Sequence, residues 1–219
     1  MARQKFDRSL VPPFPDLSYE MTLWRKGIQL IAGVDEAGRG ALAGPVAAGV
    51  VIMPIDPELT VHLSGVRDSK QMTPAARELW AERLRSMACG CAVGYATNQE
   101  IDALGIVPAT HLAIQRALEA LPRQPQHLLV DYLELPNTSI SQTSLVQGDR
   151  RSLSIAAASI LAKTGRDALL RRLDLEFPGY GFAQHKGYGT LAHRRALVQL
   201  GPSPAHRLSF AFASPSAEA

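Results

Sequence analysis

The 219 residues are enough for one ordinary domain with short extensions. With 46% hydrophobic and 20% charged residues, the composition excludes a disordered chain. No apolar run is long enough to cross a bilayer, and the opening MARQKFDRSLVPPFPDL lacks a secretory core and cleavage site. A cytoplasmic protein is therefore expected. The formal net charge of +3 agrees with a polyanionic partner without requiring one.

In chain order, residues 1–26 read as an irregular, proline-bearing arm with room for a helical turn. Ile28 to Val34 reads as a first strand, EAGRGALAG as a glycine-rich turn, and Pro45 to Met53 as a second strand. Thr73 and Pro74 are an N-cap and first helical position for a helix reaching about Met87, followed by a third strand from Ala88 to Thr97. Helices are expected over Gln99–Leu104 and Ala109–Leu121. Leu128, Leu129 and Val130 are continuously apolar, as a strand covered on both faces should be. A last short strand falls around Ser144–Val146, a long helix runs from Leu153 to about Leu175, and another helix covers Leu191–Leu200. Residues 213–219 read as a frayed tail. The pattern predicts an α/β fold with a mixed sheet, its first three strands antiparallel neighbours. The cysteines, Cys89 and Cys91, are expected to be buried thiols without chemistry, because a zinc site would need a second pair.

The chemistry is expected where acids follow apolar strands. Asp35 and Glu36 follow Val34, Asp131 follows Val130, and Asp149 precedes the long helix. A carboxylate at such a place is costly unless paired or bound to a cation. Parallel neighbouring strands would bring Asp35 beside Asp131, on the rim where α/β sheets bind ligands. Crowded carboxylates raise one another's pKa unless a divalent ion neutralises them, and all-oxygen ligands select magnesium or manganese. One or two such ions suit phosphodiester hydrolysis. A Ser–Lys hydrolase built on Ser159 and Lys163, four apart on one helical face, is a weaker rival because its accompanying motifs are missing. His185 and His193, flanked by glycines, are expected to make structural or phosphate contacts.

GVDEAGRGALAGPV at residues 33–46 resembles the type 2 ribonucleases H of the bacterial HII branch. The similarity continues, in order, through DSK at 68–70, EID and GIVPAT between Glu100 and Thr110, and LLVDYLELP at 128–136. GDRRSLSIAAASILAK at 148–163, RD at 166–167, HKGYGTLAH at 185–193 and HRLSF at 206–210 complete it. The resemblance implies a ribonuclease H-like fold: a five-stranded mixed sheet flanked by helices, with a catalytic unit over residues 27–212 that includes a helical C-terminal extension. It implies metal-dependent cleavage of the RNA strand of RNA–DNA hybrids, including single ribonucleotides in duplex DNA. Asp35, Glu36, Asp131 and Asp149 match the catalytic, metal-holding acids, and Mn2+ or Mg2+ is the implied cofactor. Gly38, Arg39 and Gly40 match the turn that senses the ribose 2′-hydroxyl, and Tyr188 the tyrosine that stacks at the RNA–DNA junction. Lys70, Ser154, Lys163 and Arg166 are further candidate substrate contacts. The alternative is a hybrid-binding protein without catalysis, although all four acids are present. A monomer is expected. The chain departs from the family pattern at Gln147, usually lysine, at Gly105, usually asparagine, and at Thr164-Gly165, where glycine inside a helix costs about 1 kcal/mol.

Overall fold

The computed structural model describes residues 6–7, 11–56 and 58–211. Five strands, β1 (Ile31–Ala37), β2 (Val46–Ile52), β3 (Gly90–Ala96), β4 (His127–Asp131) and β5 (Ser141–Leu145), form one sheet in the order β3-β2-β1-β4-β5. The first three pair antiparallel, as expected, and β4 and β5 extend the sheet in parallel. The anticipated β1 is displaced toward its C-terminus. Apolar character stops at Val34, but the ladder to β2 runs on through Asp35, Glu36 and Ala37, so both acids lie on the strand itself. β5 begins earlier than expected because Ser-Gln-Thr-Ser is a polar edge strand, which hydrophobicity does not mark.

Helices cover both faces. They are α1 (Ser18–Arg25), α2 (Leu59–His62), α3 (Pro74–Met87), α4 (Asn98–Leu104), α5 (Ile106–Glu119), α6 (Leu153–Glu176), α7 (Phe182–His185) and α8 (Leu191–Leu200). Thr73 caps α3 as predicted, its hydroxyl accepting from the Ala76 N–H. Odd-numbered residues of β1 face α6, and the even ones, Ala32 and Val34, join the core under α5. The alanine run 156–158 is fully buried. At Gly49 a Cβ would come within 2.2 Å of the Ala158 carbonyl oxygen, so this close helix–sheet approach demands glycine. Gly165 has a similar explanation: Tyr95 Oη lies 2.6 Å from where its Cβ would be.

Two expectations need correcting. The segment read as an irregular arm contains two-turn α1, whose Glu20 is buried and caps the start of α6, accepting from the Ser152 hydroxyl at 2.7 Å and the Ser154 N–H at 3.0 Å. Cys89 is exposed and Cys91 half-buried, because β3 is an edge strand and Cys89 precedes it; both are free thiols. The tail at 213–219 lies outside the described residues. Among the described residues no helix is long and apolar enough to cross a membrane.

Candidate active site

The parallel register pairs Val34 with Val130, which sets the next residues, Asp35 and Asp131, side by side on the α6 face. A 3-10 turn at Gly148–Arg150 brings in Asp149. One carboxylate oxygen from each of Asp35, Asp131 and Asp149 lies within 4.8 Å of the others. Glu36 leaves the opposite face of the strand and stands beside this trio, its Oε1 3.0 Å from Arg39 Nη1.

The cluster is electrostatically strained. Burial first, then Glu36, Asp131 and Asp149, raises Asp35 well above the usual carboxylate range, against the opposing pull of the Ser159 hydroxyl. Asp131 is pushed up to about 6, chiefly by burial and further by Glu36, although the Gly148 N–H donates to it at 2.6 Å. Asp149 is also pushed up to about 6, by burial and then by Asp131 and Asp68. Lys70 opposes this with its Nζ 3.9 Å from Asp149, partly replacing the lysine that Gln147 lacks. Three converging oxygen donors that resist ionisation together fit a hard divalent cation better than they fit one another.

This strain predicts a stability effect. The folded-state pKa of Asp149 lies above its ordinary value, so the native state binds the extra proton. Stability is therefore lost as pH rises from about 4 through about 6. In chelator at pH 8, Asp149→Asn should be more stable than the wild type by about 3 kcal/mol. The gap should close near pH 4 and shrink when magnesium stabilises the wild type. Denaturant melts at both pH values check this, and an Asn variant no more stable at pH 8 would contradict it.

Beside the acids a groove of about 480 Å³ is lined by Glu36, Gly38, Arg39, Gly40, Lys70 and Tyr188, among others. At Gly38 the backbone has φ +92°, and a Cβ would overlap the Arg166 guanidinium at 1.9 Å, so glycine is obligatory. The Tyr188 ring lies 5.6 Å from Lys163 Nζ and 5.5 Å from Arg166 Cζ, held over two cations. Its backbone pairs with Ala41, joining the tyrosine segment to the glycine turn.

Not every sequence candidate reaches this groove. Ser154 is fully buried under α1 and cannot touch substrate. Arg166 is also fully buried, donating to the carbonyls of Pro45 at 2.8 Å and of Ala43 and Lys186 at 2.9 Å, so it serves the fold rather than a phosphate. Lys163 lines the groove but pairs with Asp167 at 2.7 Å, and Ser159 bonds Ser69, which removes the Ser–Lys rival. His185 and His193 are structural. They stack with centroids 4.2 Å apart, and His193 bonds the Tyr188 carbonyl and His206 at 3.0 Å each. Burial, with both neighbouring histidines, pushes His193 down to about 4, so this network is neutral. Its proton order follows: Nδ1 of His193 donates to the carbonyl, so its Nε2 must accept from His206.

Sequence reasoning missed two residues. Asp68, whose carboxylate accepts from the Lys70 N–H, is a fifth acid beside Asp149. Arg207, 2% exposed, binds the glycine turn from within. Each sits inside a quoted motif, DSK or HRLSF, but side-chain direction is absent from a motif.

A family profile described as Ribonuclease HII matches residues 32–213. The chain belongs to the ribonuclease HII family. It is a nuclease, and its family cleaves the RNA of RNA–DNA hybrids. The ribonuclease HII of Chloroflexus aurantiacus (strain ATCC 29364 / DSM 637 / Y-400-fl) is 54% identical over 197 residues, spanning 90% of this chain and 93% of that protein. The ribonuclease HII of Synechococcus sp. (strain JA-3-3Ab) is 53% identical over 199 residues, spanning 90% and 88%. Among solved structures, the ribonuclease H2 from Pyrococcus horikoshii OT3 superposes with a TM-score of 0.66 at 27% identity, covering 82% of this chain and 93% of that one. The ribonuclease H-like fold expected from the sequence is therefore present, with Asp35, Asp131 and Asp149 gathered at one rim of its sheet.

Proposed function

We propose that this ribonuclease HII hydrolyses the phosphodiester 5′ to a ribonucleotide, leaving 3′-hydroxyl and 5′-phosphate ends. Single ribonucleotides embedded in duplex DNA are substrates as well as longer hybrids, which suits removal of misincorporated ribonucleotides and primer remnants. The observation that carries the reading is a groove beside the acidic cluster, lined by Glu36, the glycine turn and a tyrosine together.

Asp35, Asp131 and Asp149 would hold magnesium or manganese, with Glu36 completing the site once its side chain leaves Arg39. A bound cation supplies charge stabilisation to the phosphoryl group and lowers the pKa of water. The chain's own groups bind and orient. Lys70, with its side chain 78% exposed at the groove, meets a phosphate. Backbone groups of Gly38, Arg39 and Gly40 meet the 2′-hydroxyl, the group that separates RNA from DNA. Tyr188 packs against the sugar at the junction, its ring angle set by Lys163 and Arg166.

A duplex carrying one ribonucleotide, incubated with magnesium, manganese or chelator, tests the reading. Nicking on the 5′ side of the ribonucleotide, only with metal, is expected. Binding without nicking would favour a non-catalytic hybrid-binding protein. Tyr188→Ala should lower single-ribonucleotide cleavage roughly 10- to 100-fold, the scale of one lost stacking contact, and long-hybrid cleavage much less. Equal loss on both substrates would remove the junction role.

A further inference from the structure

We propose that Arg207 is the positioning residue that aims the Gly38–Gly40 turn at the ribose, an inference that rests on the ribose-reading role just given to that turn. Its guanidinium is buried, and its three donor nitrogens all end on backbone carbonyls: Nη2 on Gly38 at 2.8 Å, Nη1 on Arg39 at 2.8 Å, and Nε on Gly44 at 2.9 Å. Its own N–H donates to the Leu42 carbonyl at 2.9 Å. No carboxylate forms an ion pair with it among the described residues. A buried cation is costly, and here the turn's carbonyl dipoles stabilise it together with the Phe210 ring, 5.1 Å from its Cζ, and the more distant charge of Asp102.

In a trans peptide the C=O and N–H point in opposite directions, and the chain has no cis peptide bond among the described residues. Drawing the carbonyls of Gly38 and Arg39 inward onto Arg207 therefore turns the N–H groups of Arg39 and Gly40 outward. Neither N–H has a partner among the described residues, and the space where a Gly40 Cβ would stand is open. Two adjacent donors facing a groove make a cradle for an oxygen, here the 2′-hydroxyl or its neighbouring phosphate. The fork is what matters: a lysine would keep the charge but has one nitrogen, and cannot reach all three carbonyls at once. Asp102 holds the other side of this residue in place, accepting from the N–H groups of Leu208 and Ser209 at 2.9 Å each.

The test compares wild type, Arg207→Lys and Arg207→Ala on duplexes carrying one ribonucleotide or its 2′-fluoro analogue. Manganese affinity is measured by calorimetry on the same proteins. Arg207→Lys should lose about 100-fold in kcat on the ribonucleotide, the scale of an ångström-sized misplacement. Its preference for the ribonucleotide over the fluoro analogue should shrink by at least about 10-fold, while manganese affinity stays unchanged. Millimolar guanidinium, but not ammonium, should restore part of that preference to Arg207→Ala. A folded Arg207→Lys with wild-type rate and preference overturns the inference, as does an equal loss on both substrates. Should neither variant fold, hydrogen exchange on the intact protein decides. The amides of Arg39 and Gly40 should exchange freely in the free protein and become protected on the ribonucleotide duplex in chelator; protection already present in the free protein overturns it. A wild type that nicks no ribonucleotide duplex would instead sink the proposed function.

Discussion

Asp35→Asn should lower hydrolysis by at least about 10³-fold while leaving a folded protein that is more stable than the wild type in chelator. Asp35 is 4% exposed at the centre of the acidic cluster. The amide keeps the side chain's shape and an oxygen to accept the Glu36 N–H, which donates to Asp35 at 2.7 Å. What disappears is one negative charge from a site whose members already raise one another's pKa. Cation affinity falls because a ligand charge is gone, and repulsion falls for the same reason. The joint result, lost turnover with a raised melting temperature, distinguishes a charge-based role from a packing role, in which both would fall. Single-turnover rates and thermal melts in chelator are sufficient to measure it. Near-normal turnover would remove Asp35 from the catalytic set, and with it the proposed metal site.

How much of this was legible in the sequence depends on what each residue's neighbours are. Asp35 beside Asp131 was readable, because an apolar run ending in an acid occurs twice and parallel strands align such ends. Thr73-Pro74 was readable because capping is a local affair. β5 was only half readable, since an edge strand of Ser, Gln and Thr has no hydrophobic signal. Glu20 and α1 were missed because the surrounding prolines and charges suggested an arm, and the partner that buries Glu20 is Ser152, far along the chain. The two buried arginines were the least visible. Arginine ordinarily belongs on the surface, and the partners of Arg166 and Arg207 are backbone carbonyls, which have no residue type to read. Its basic character and its place on the long helix put Arg166 on the substrate side for want of that information. Ser154 went astray for a related reason: it shares a helix with groove residues, and only the packing of α1 reveals which face it occupies.

Arg166→Met should destabilise the protein by about 3–5 kcal/mol, lowering the melting temperature by roughly 10 °C. Methionine fills most of the volume, so the loss isolates the guanidinium's hydrogen bonds from its bulk. Three carbonyls, those of Ala43, Pro45 and Lys186, would lose a donor in a fully buried place, and each orphaned acceptor costs on the order of 1–3 kcal/mol. Arg166→Lys should recover part of the loss but not all of it, since one ammonium cannot reach three carbonyls on two separate segments. Those segments are the leg of the glycine turn at 43–45 and the loop bearing Tyr188, so the damage should extend to function. Tyr188 would lose one of its two cations, and the floor beneath Gly38 would open. Cleavage of a single-ribonucleotide duplex should then fall well below the wild-type rate even at temperatures where the variant is fully folded. A loss under about 1 kcal/mol would mean that water replaces the guanidinium at those carbonyls. In that case the turn and the tyrosine loop would not depend on Arg166 as their common anchor.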